Sequence, residues 1–389
     1  MKIKRVETFL ANSGVRNYLF VRLTTETGLT GVGEASLEWQ EETIETLIRE
    51  WVERRVVGVD PFDIEAVIGD MIRDQYQGGA TILTAISGVE VAMWDLIGKA
   101  CGQPVYKLLG GRAHDRVWAY ANGWYGGAQS PRDFARRAKD VVASGYRALK
   151  FDPFATAWKE MTSVEMDEAE ARVAAVREAV GPEPSLLIEV HGRLSVRRAI
   201  EMGRRLEKYR PALYEEPVTP NSIELLKEVK EALPLPIGAG ERLCTLEDFY
   251  RCTRMRAVDV LQPDLCHIGG LWIAKKVAAM AQAQDIQVAP HVSIGPVALC
   301  AALHFDWSTP NLWLQEDFSQ YDVPWRNDLV GGWNPSRQGE FMLPEKSGLG
   351  IELDVDACRA HPYKQNTFPS LWDDRWLSEF TQKDKQEDD

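Results

Sequence analysis

Six times between Glu189 and Glu316 a short apolar segment ends on a carboxylate or an imidazole. Glu189 and His191 close SLLIEVHG, Glu215 closes ALYEEP, and Glu241 closes PIGAGE. Asp264 closes VDVLQPD, His291 closes IQVAPH and Glu316 closes LWLQE. The successive steps are 26, 26, 23, 27 and 25 residues, each enough for one strand and one helix. Such a period predicts a parallel (β/α) barrel with the polar residues gathered at the C-terminal mouth, where barrel enzymes keep their chemistry. Three glutamates on successive strands point to a metal site.

The rest of the chain divides around that repeat. Residues 1–35 alternate apolar and polar, with turn signals at Asn12-Ser13-Gly14 and Thr27-Gly28, and predict a small antiparallel sheet. EETIETLIREWVE then places Ile44, Leu47, Ile48 and Trp51 on one helical face. ATILTAISGVEVAMWDLIGKACG is apolar on more than one face, which predicts a helix buried between domains. From Val117 short apolar strands alternate with charged helices. The expected domains are an α+β cap over 1–116, a barrel over 117–341, and a segment 342–389 that packs back on the cap. Trp307, Trp313, Trp325, Trp333, Trp372 and Trp376 are assigned to that packing, and the terminal DKQEDD to a frayed end.

Charge and composition exclude several classes. A net charge of −13, with no Lys/Arg-dense face, argues against nucleic acid or an anionic membrane as partner. The N-terminus lacks the apolar run of a signal peptide, and no uninterrupted apolar segment is long enough to span a bilayer. Six scattered cysteines without a CxxC pair read as reduced core thiols of a cytoplasmic protein.

The motifs HGR (191–193), EEPV (215–218), AGER (239–242), QPDLCHIGG (262–270), APH with the following GP, and QE (315–316), in this order, resemble the enolase superfamily, and within it the acid-sugar dehydratases. AISGVEVAMWDLIGKACGQPVYKLLGG and SGLGIELD extend the resemblance over nearly the whole chain. It implies a modified barrel capped by both chain ends, a Mg²⁺ ion, and abstraction of the proton next to a carboxylate. The chemistry needs such a cation, because the enediolate formed by losing that proton is too charged for any single side chain to stabilise. Glu189, Glu215 and Glu241 are the expected ligands, although the first position is usually Asp in this family. Glu216, beside Glu215, is expected to face the other side of its strand.

His191 follows Glu189 by two residues and is expected on the same face of the strand, as the acid that protonates a departing hydroxyl. Asp264 and His291 end adjacent strands and can form a dyad in which the carboxylate fixes the imidazole tautomer. By resemblance His291 is the base. Glu316 resembles the acid that hydrogen-bonds the substrate carboxylate, and must then be protonated or paired. Lys150 and Asp152 are expected to bind substrate; racemase-like relatives carry a second lysine as base where Asp152 stands, so its absence favours β-elimination. Arg193 either contacts the polyol or braces the mouth. Trp39, Trp124 and Tyr125 can stack on a sugar or belong to the core, and His114, His267, His304 and His361 are assigned structural roles. The expected activity is Mg²⁺-dependent dehydration of an aldonate-type sugar acid to a 2-keto-3-deoxy acid, in a homo-oligomer. Epimerisation, lactone cycloisomerisation and non-catalytic binding are the alternatives.

Overall fold

The structure, a computed structural model, describes residues 1–76, 78–220, 222–365 and 368. Trp372, Trp376 and the acidic terminus lie outside them. The chain opens with an antiparallel sheet of β1 (Ile3–Asn12), β2 (Asn17–Thr25) and β3 (Thr30–Glu34), in the order β1-β2-β3. The predicted turns fall between these strands, and Gly28 takes a φ of 85° that a side chain would strain. EETIETLIREWVE is helical but not uniformly α, because Ile48–Val52 is a π turn. Its innermost residues are Ile44, Ile48 and Val52, continued by Val56 on the next turn, each fully buried, while Leu47 and Trp51 are only half-buried. The expected face is therefore shifted toward a four-residue spacing.

The helix Ala80–Cys101 lies across this sheet. By length and mean hydropathy it could cross a membrane, but it is interrupted by Glu90 and Asp95 and 83% of its most apolar stretch is buried in the fold. A Cβ on Gly33 of β3 would stand 1.9 Å from the Gly88 carbonyl oxygen of this helix, so close packing of strand on helix requires glycine there.

Eight strands then run parallel: β4 (Val117–Ala121), β5 (Ala148–Phe151), β6 (Ser185–Glu189), β7 (Leu213–Glu215), β8 (Ile237–Ala239), β9 (Val260–Leu261), β10 (Gln287–Val288) and β11 (Gln315–Asp317). Each neighbour in sequence is a neighbour in the sheet through β10, and β11 pairs with β4. A parallel bridge between Val288 and Leu312 connects β10 to the segment entering β11, so the sheet closes on itself. Helices follow β4 to β10, from Pro131–Ala143 to Pro296–Trp307. Several start on a Ser or Thr whose side chain accepts the third backbone N–H, as at Ser130, Thr162 and Thr245. A hairpin of β12 (Ser336–Arg337) and β13 (Glu340–Phe341) adds antiparallel to the start of β4. The chain then returns to the first sheet: the His361 carbonyl accepts from the Asn12 N–H at 2.7 Å, and Trp325 Nε1 donates to the Asn12 carbonyl at 3.1 Å.

The cysteines depart from the expected core positions in two cases: Cys101 is exposed and Cys244 half-buried, and all six are free.

Candidate active site

Glu189 and Glu215 are the last residues of β6 and β7, and they pair in register. Glu241 follows β8 by two residues, after Gly240, whose φ of 152° brings the backbone against Gln262. One carboxylate oxygen from each of the three lies within 4.8 Å of the others. Oε2 of both Glu189 and Glu215 is buried without a hydrogen-bond partner. Burial, and then the Glu215 charge, push Glu189 well above the usual carboxylate range, against the opposing charge of Lys150. Three hard oxygen donors, two of them unsatisfied, fit a divalent cation of the Mg²⁺ type. Glu189 Oε1 accepts the His191 backbone N–H at 2.6 Å, which leaves Oε2 for the cluster.

Lys150, on β5, is buried at the centre of this charge. Its Nζ donates to Glu215 Oε1 and Glu316 Oε1, each at 2.9 Å, and stands 3.7 Å from Glu189 Oε2. Glu316 is fully buried; it also accepts from Asn122 Nδ2 and the Val292 N–H, each at 2.7 Å. Burial opposes its ionisation, but Lys150 and His291 lower it below the usual range. Of the two states expected for Glu316, the fold adopts the paired one, and the residue stands behind Lys150.

His291 Nδ1 lies 2.8 Å from Asp264 Oδ2, as the adjacent strand ends predict. Its Nε2 is 3.3 Å from Glu241 Oε2. Burial lowers its proton affinity, but Glu241, Glu316 and Asp264 outweigh this and raise the pKa to about 10. Burial likewise opposes the charge on Glu241, but His291, Arg242 and Lys150 outweigh it and lower the pKa to about 2. A cation held by Glu241 would compete with His291 for that carboxylate and weaken its hold on the imidazole proton.

The sequence expectation for Asp152, Arg193 and His191 requires correction. Asp152 is buried and does not line the cavity; its Oδ2 meets His191 Nδ1 at 2.8 Å and the Arg193 guanidinium. Arg193 is fully buried, donating through Nε to the Val190 carbonyl at 2.9 Å and through Nη1 to the Ala155 carbonyl at 2.5 Å. Of its two expected roles it takes that of a brace, because its whole fork is used within the wall. His191 does not continue the strand, which ends at Glu189; its φ of 54° is left-handed. This turn, rather than β alternation, brings the ring to the mouth. The result is a second carboxylate–imidazole pair that strand periodicity could not reveal.

Both histidines line one cavity of about 290 Å³ with Lys150 and Glu241. Its outer wall comes from other parts of the chain, including Arg16, Glu38 and Trp39 from the cap and Phe368 from the C-terminal segment. Tyr125 lines the cavity, whereas Trp124 is core, its Nε1 donating to the Lys150 carbonyl at 2.8 Å. His267, assigned a structural role, is on the cavity wall; Nε2 contacts the Ser36 carbonyl at 3.0 Å and Nδ1 is 3.6 Å from Asp264. His304 and His114 are held by backbone carbonyls, and His361 stacks on Trp325 with centroids 4.4 Å apart. Glu216 pairs with Arg242, whose Nε also stands 3.9 Å from Glu241 Oε1; burial raises the Glu216 pKa to about 8 although Arg242 opposes this.

This fold and site define a class. The chain belongs to the mandelate racemase/muconate lactonizing enzyme family of the enolase superfamily: residues 4–110 match its N-terminal domain and residues 133–357 the enolase C-terminal domain-like family. It is 38% identical over 349 residues to D-gluconate dehydratase from Thermoproteus tenax, covering 88% of this chain and 70% of that one. D-galactonate dehydratase from Ralstonia pickettii is 38% identical over 360 residues, covering 91% and 92%. Among solved structures, a mandelate racemase/muconate lactonizing enzyme from Sulfitobacter sp. superposes with a TM-score of 0.87 at 34% identity, over 94% of this chain and 96% of the other. The protein is thus an enolase superfamily enzyme whose relatives are acid-sugar dehydratases, with the carboxylate cluster typical of that superfamily's divalent metal site.

Proposed function

We propose that this enzyme dehydrates an aldonate-type sugar acid to the 2-keto-3-deoxy acid. The observation that carries this reading is the pair of imidazoles, each fixed through Nδ1 by a buried carboxylate at 2.8 Å, on the wall of one cavity with Glu241, whose carboxylate clusters with those of Glu189 and Glu215. Each pairing leaves Nε2 as the nitrogen for proton transfer and fixes the tautomer that presents it. Two such groups suit a reaction that takes a proton from one carbon and gives one to a hydroxyl leaving the next. The D-gluconate and D-galactonate dehydratases among its relatives support the same substrate class.

In this scheme Glu189, Glu215 and Glu241 hold Mg²⁺, which when bound supplies positive charge to the substrate carboxylate and the developing enediolate. Lys150 contributes a further fixed charge beside them, held protonated because Glu215 and Glu316 outweigh the effect of its burial. His291 accepts the α-proton at Nε2 while Asp264 stabilises the resulting imidazolium. His191 delivers a proton to the β-hydroxyl, and Asp152, anchored by Arg193, fixes that ring. The enol released becomes the ketone without further help from the protein. Incubation with a panel of aldonates in Mg²⁺ should give 2-keto-3-deoxy acids from at least one, detected as a new carbonyl. Exchange or epimerisation of the α-carbon with no ketone from any member overturns the reading.

A further inference from the structure

The cavity has a second polar feature, far in sequence from the barrel carboxylates. Arg16 sits in the turn between β1 and β2, and the turn is pinned by three hydrogen bonds to the Arg16 carbonyl, from the Ser13 N–H at 2.9 Å and from Asn12 Nδ2 and Ser13 Oγ at 3.1 Å. Its side chain is 4% exposed, and its guanidinium carbon lies 4.9 Å from the Phe318 ring centre and 5.3 Å from that of Phe368. Phe368 is itself fastened to the cap, since its carbonyl accepts from Trp39 Nε1 at 3.0 Å and the two rings meet edge to face at 5.1 Å. Arg16, Glu38, Trp39, Phe318 and Phe368 line the same cavity as His191 and His291.

Within this frame Arg16 Nη1 is buried and has no hydrogen-bond acceptor among the described residues. Among the described residues the carboxylate oxygen paired with it is Glu38 Oε1 at 3.7 Å, too far for a hydrogen bond yet close enough for one oxygen atom to lie about 2.8 Å from both. A hydroxyl suits that position, because it accepts from a guanidinium and donates to a carboxylate at once. A second carboxylate on the substrate does not suit it, because it has no proton for Glu38 and carries the same charge. Phe368 covers the pair, and its ring must yield as the oxygen enters.

Resting on the dehydratase reading above, we propose that Arg16 and Glu38 bind a hydroxyl at the end of the substrate remote from the reacting carboxylate, under the cover of Phe368. The preferred substrates are then monocarboxylic acids with a long polyol chain, and sugar dicarboxylates are discriminated against. Removing one partner leaves the other buried without its ligand, so the loss falls on substrates that carry the remote hydroxyl.

The test compares kcat/KM for a six-carbon aldonate, a four-carbon aldonate whose chain ends two carbons sooner, and a six-carbon dicarboxylate, all in the wild type and in Arg16→Met and Glu38→Gln. The wild type should prefer the six-carbon monocarboxylate over both others. Each variant should lose at least about tenfold more activity on that acid than on the four-carbon one. Phe368→Ala should narrow the same preference. Thermal unfolding of each variant controls for folding, and Glu38→Gln, on a side chain 18% exposed, keeps the shape of the site if Arg16→Met does not fold. Equal losses on long and short acids, or a wild type that favours the dicarboxylate, overturn the proposal and leave the dehydratase reading intact. A wild type that dehydrates none of the three overturns both.

Discussion

At Asp152 the side chain is directed inward to His191 and Arg193, and its charge is kept by them: burial opposes ionisation, but Arg193 and His191 lower its pKa. Its substitution should therefore act through His191 and be larger than a simple loss of substrate positioning. Asp152→Asn removes the fixed negative acceptor of His191 Nδ1 and should slow elimination by about 100-fold, while exchange of the substrate α-proton with D₂O persists. His291→Asn should stop both exchange and elimination, and His191→Asn elimination alone. Proton NMR of substrate recovered from D₂O distinguishes these cases, and exchange surviving in His291→Asn would require the two roles to be reversed. Sequence spacing brought out all five of Glu189, Glu215, Glu241, Asp264 and His291 because each ends or closely follows a strand. It could not bring out the Asp152–His191 pair, which depends on a left-handed residue at 191, nor the burial of Arg193, which depends on the wall formed by the carbonyls of Val190 and Ala155.

At the level of elements, the cap is joined to the barrel by buried carboxylates that terminate barrel helices. Glu90, in the middle of Ala80–Cys101, accepts the N–H groups of Leu271 and Trp272 at the start of Leu271–Gln282, and Trp94 Nε1, all at 2.8 Å. Glu34 at the end of β3 does the same for Gly295 and Ala298 at the start of Pro296–Trp307. These first-turn donors have no partner within their own helix; the helix dipole favours negative charge there, but burial outweighs it and raises the Glu90 pKa to about 8. Gly270, with φ of 97°, is required at its junction because a Cβ would stand 2.0 Å from Glu90 Oε2. Periodicity alone correctly made Ala80–Cys101 a buried helix, but a Glu on such a helix gives no sign of which distant backbone it caps. Glu90→Ala should cost at least about 3 kcal/mol, from three buried donors left without an acceptor, and Glu90→Gln less, because one oxygen remains. Urea unfolding measures both, and a loss under 1 kcal/mol in Glu90→Ala would mean that water replaces the carboxylate at no great cost.

Across the whole molecule, pH and metal should act on stability at separate places. His304 is fully buried in Pro296–Trp307, where Nδ1 accepts the Tyr106 N–H at 3.1 Å and Nε2 faces the Leu349 carbonyl at 3.1 Å. Burial lowers its pKa to about 4, and the ring is held neutral in the folded chain. The unfolded chain therefore binds more protons between about pH 6.5 and 4, so this stabilisation is complete above about 6.5 and is lost as pH falls through that window. The change is about 3 kcal/mol. His304→Gln should flatten the wild-type fall in urea midpoint between pH 7 and 4, and parallel profiles would exclude His304 as its source.

Metal should act at Glu189, where burial and the Glu215 charge raise the pKa and so favour the neutral acid in the metal-free state. Replacing a neutral acid by a neutral amide of similar shape should then change metal-free stability little. Binding a divalent cation is different, since it needs the ionised oxygen and must displace the proton. A cation that binds only the folded chain stabilises it by about 2.7 kcal/mol at a concentration 100 times its Kd. Mg²⁺ should accordingly raise the wild-type melting temperature, with the rise diminishing toward acid pH as protons compete. Glu189→Gln should begin near the metal-free wild type and show almost no rise. An equal rise in Glu189→Gln would place the cation elsewhere, and a variant far less stable than the metal-free wild type would mean that Glu189 is already ionised and paired with Lys150, 3.7 Å away.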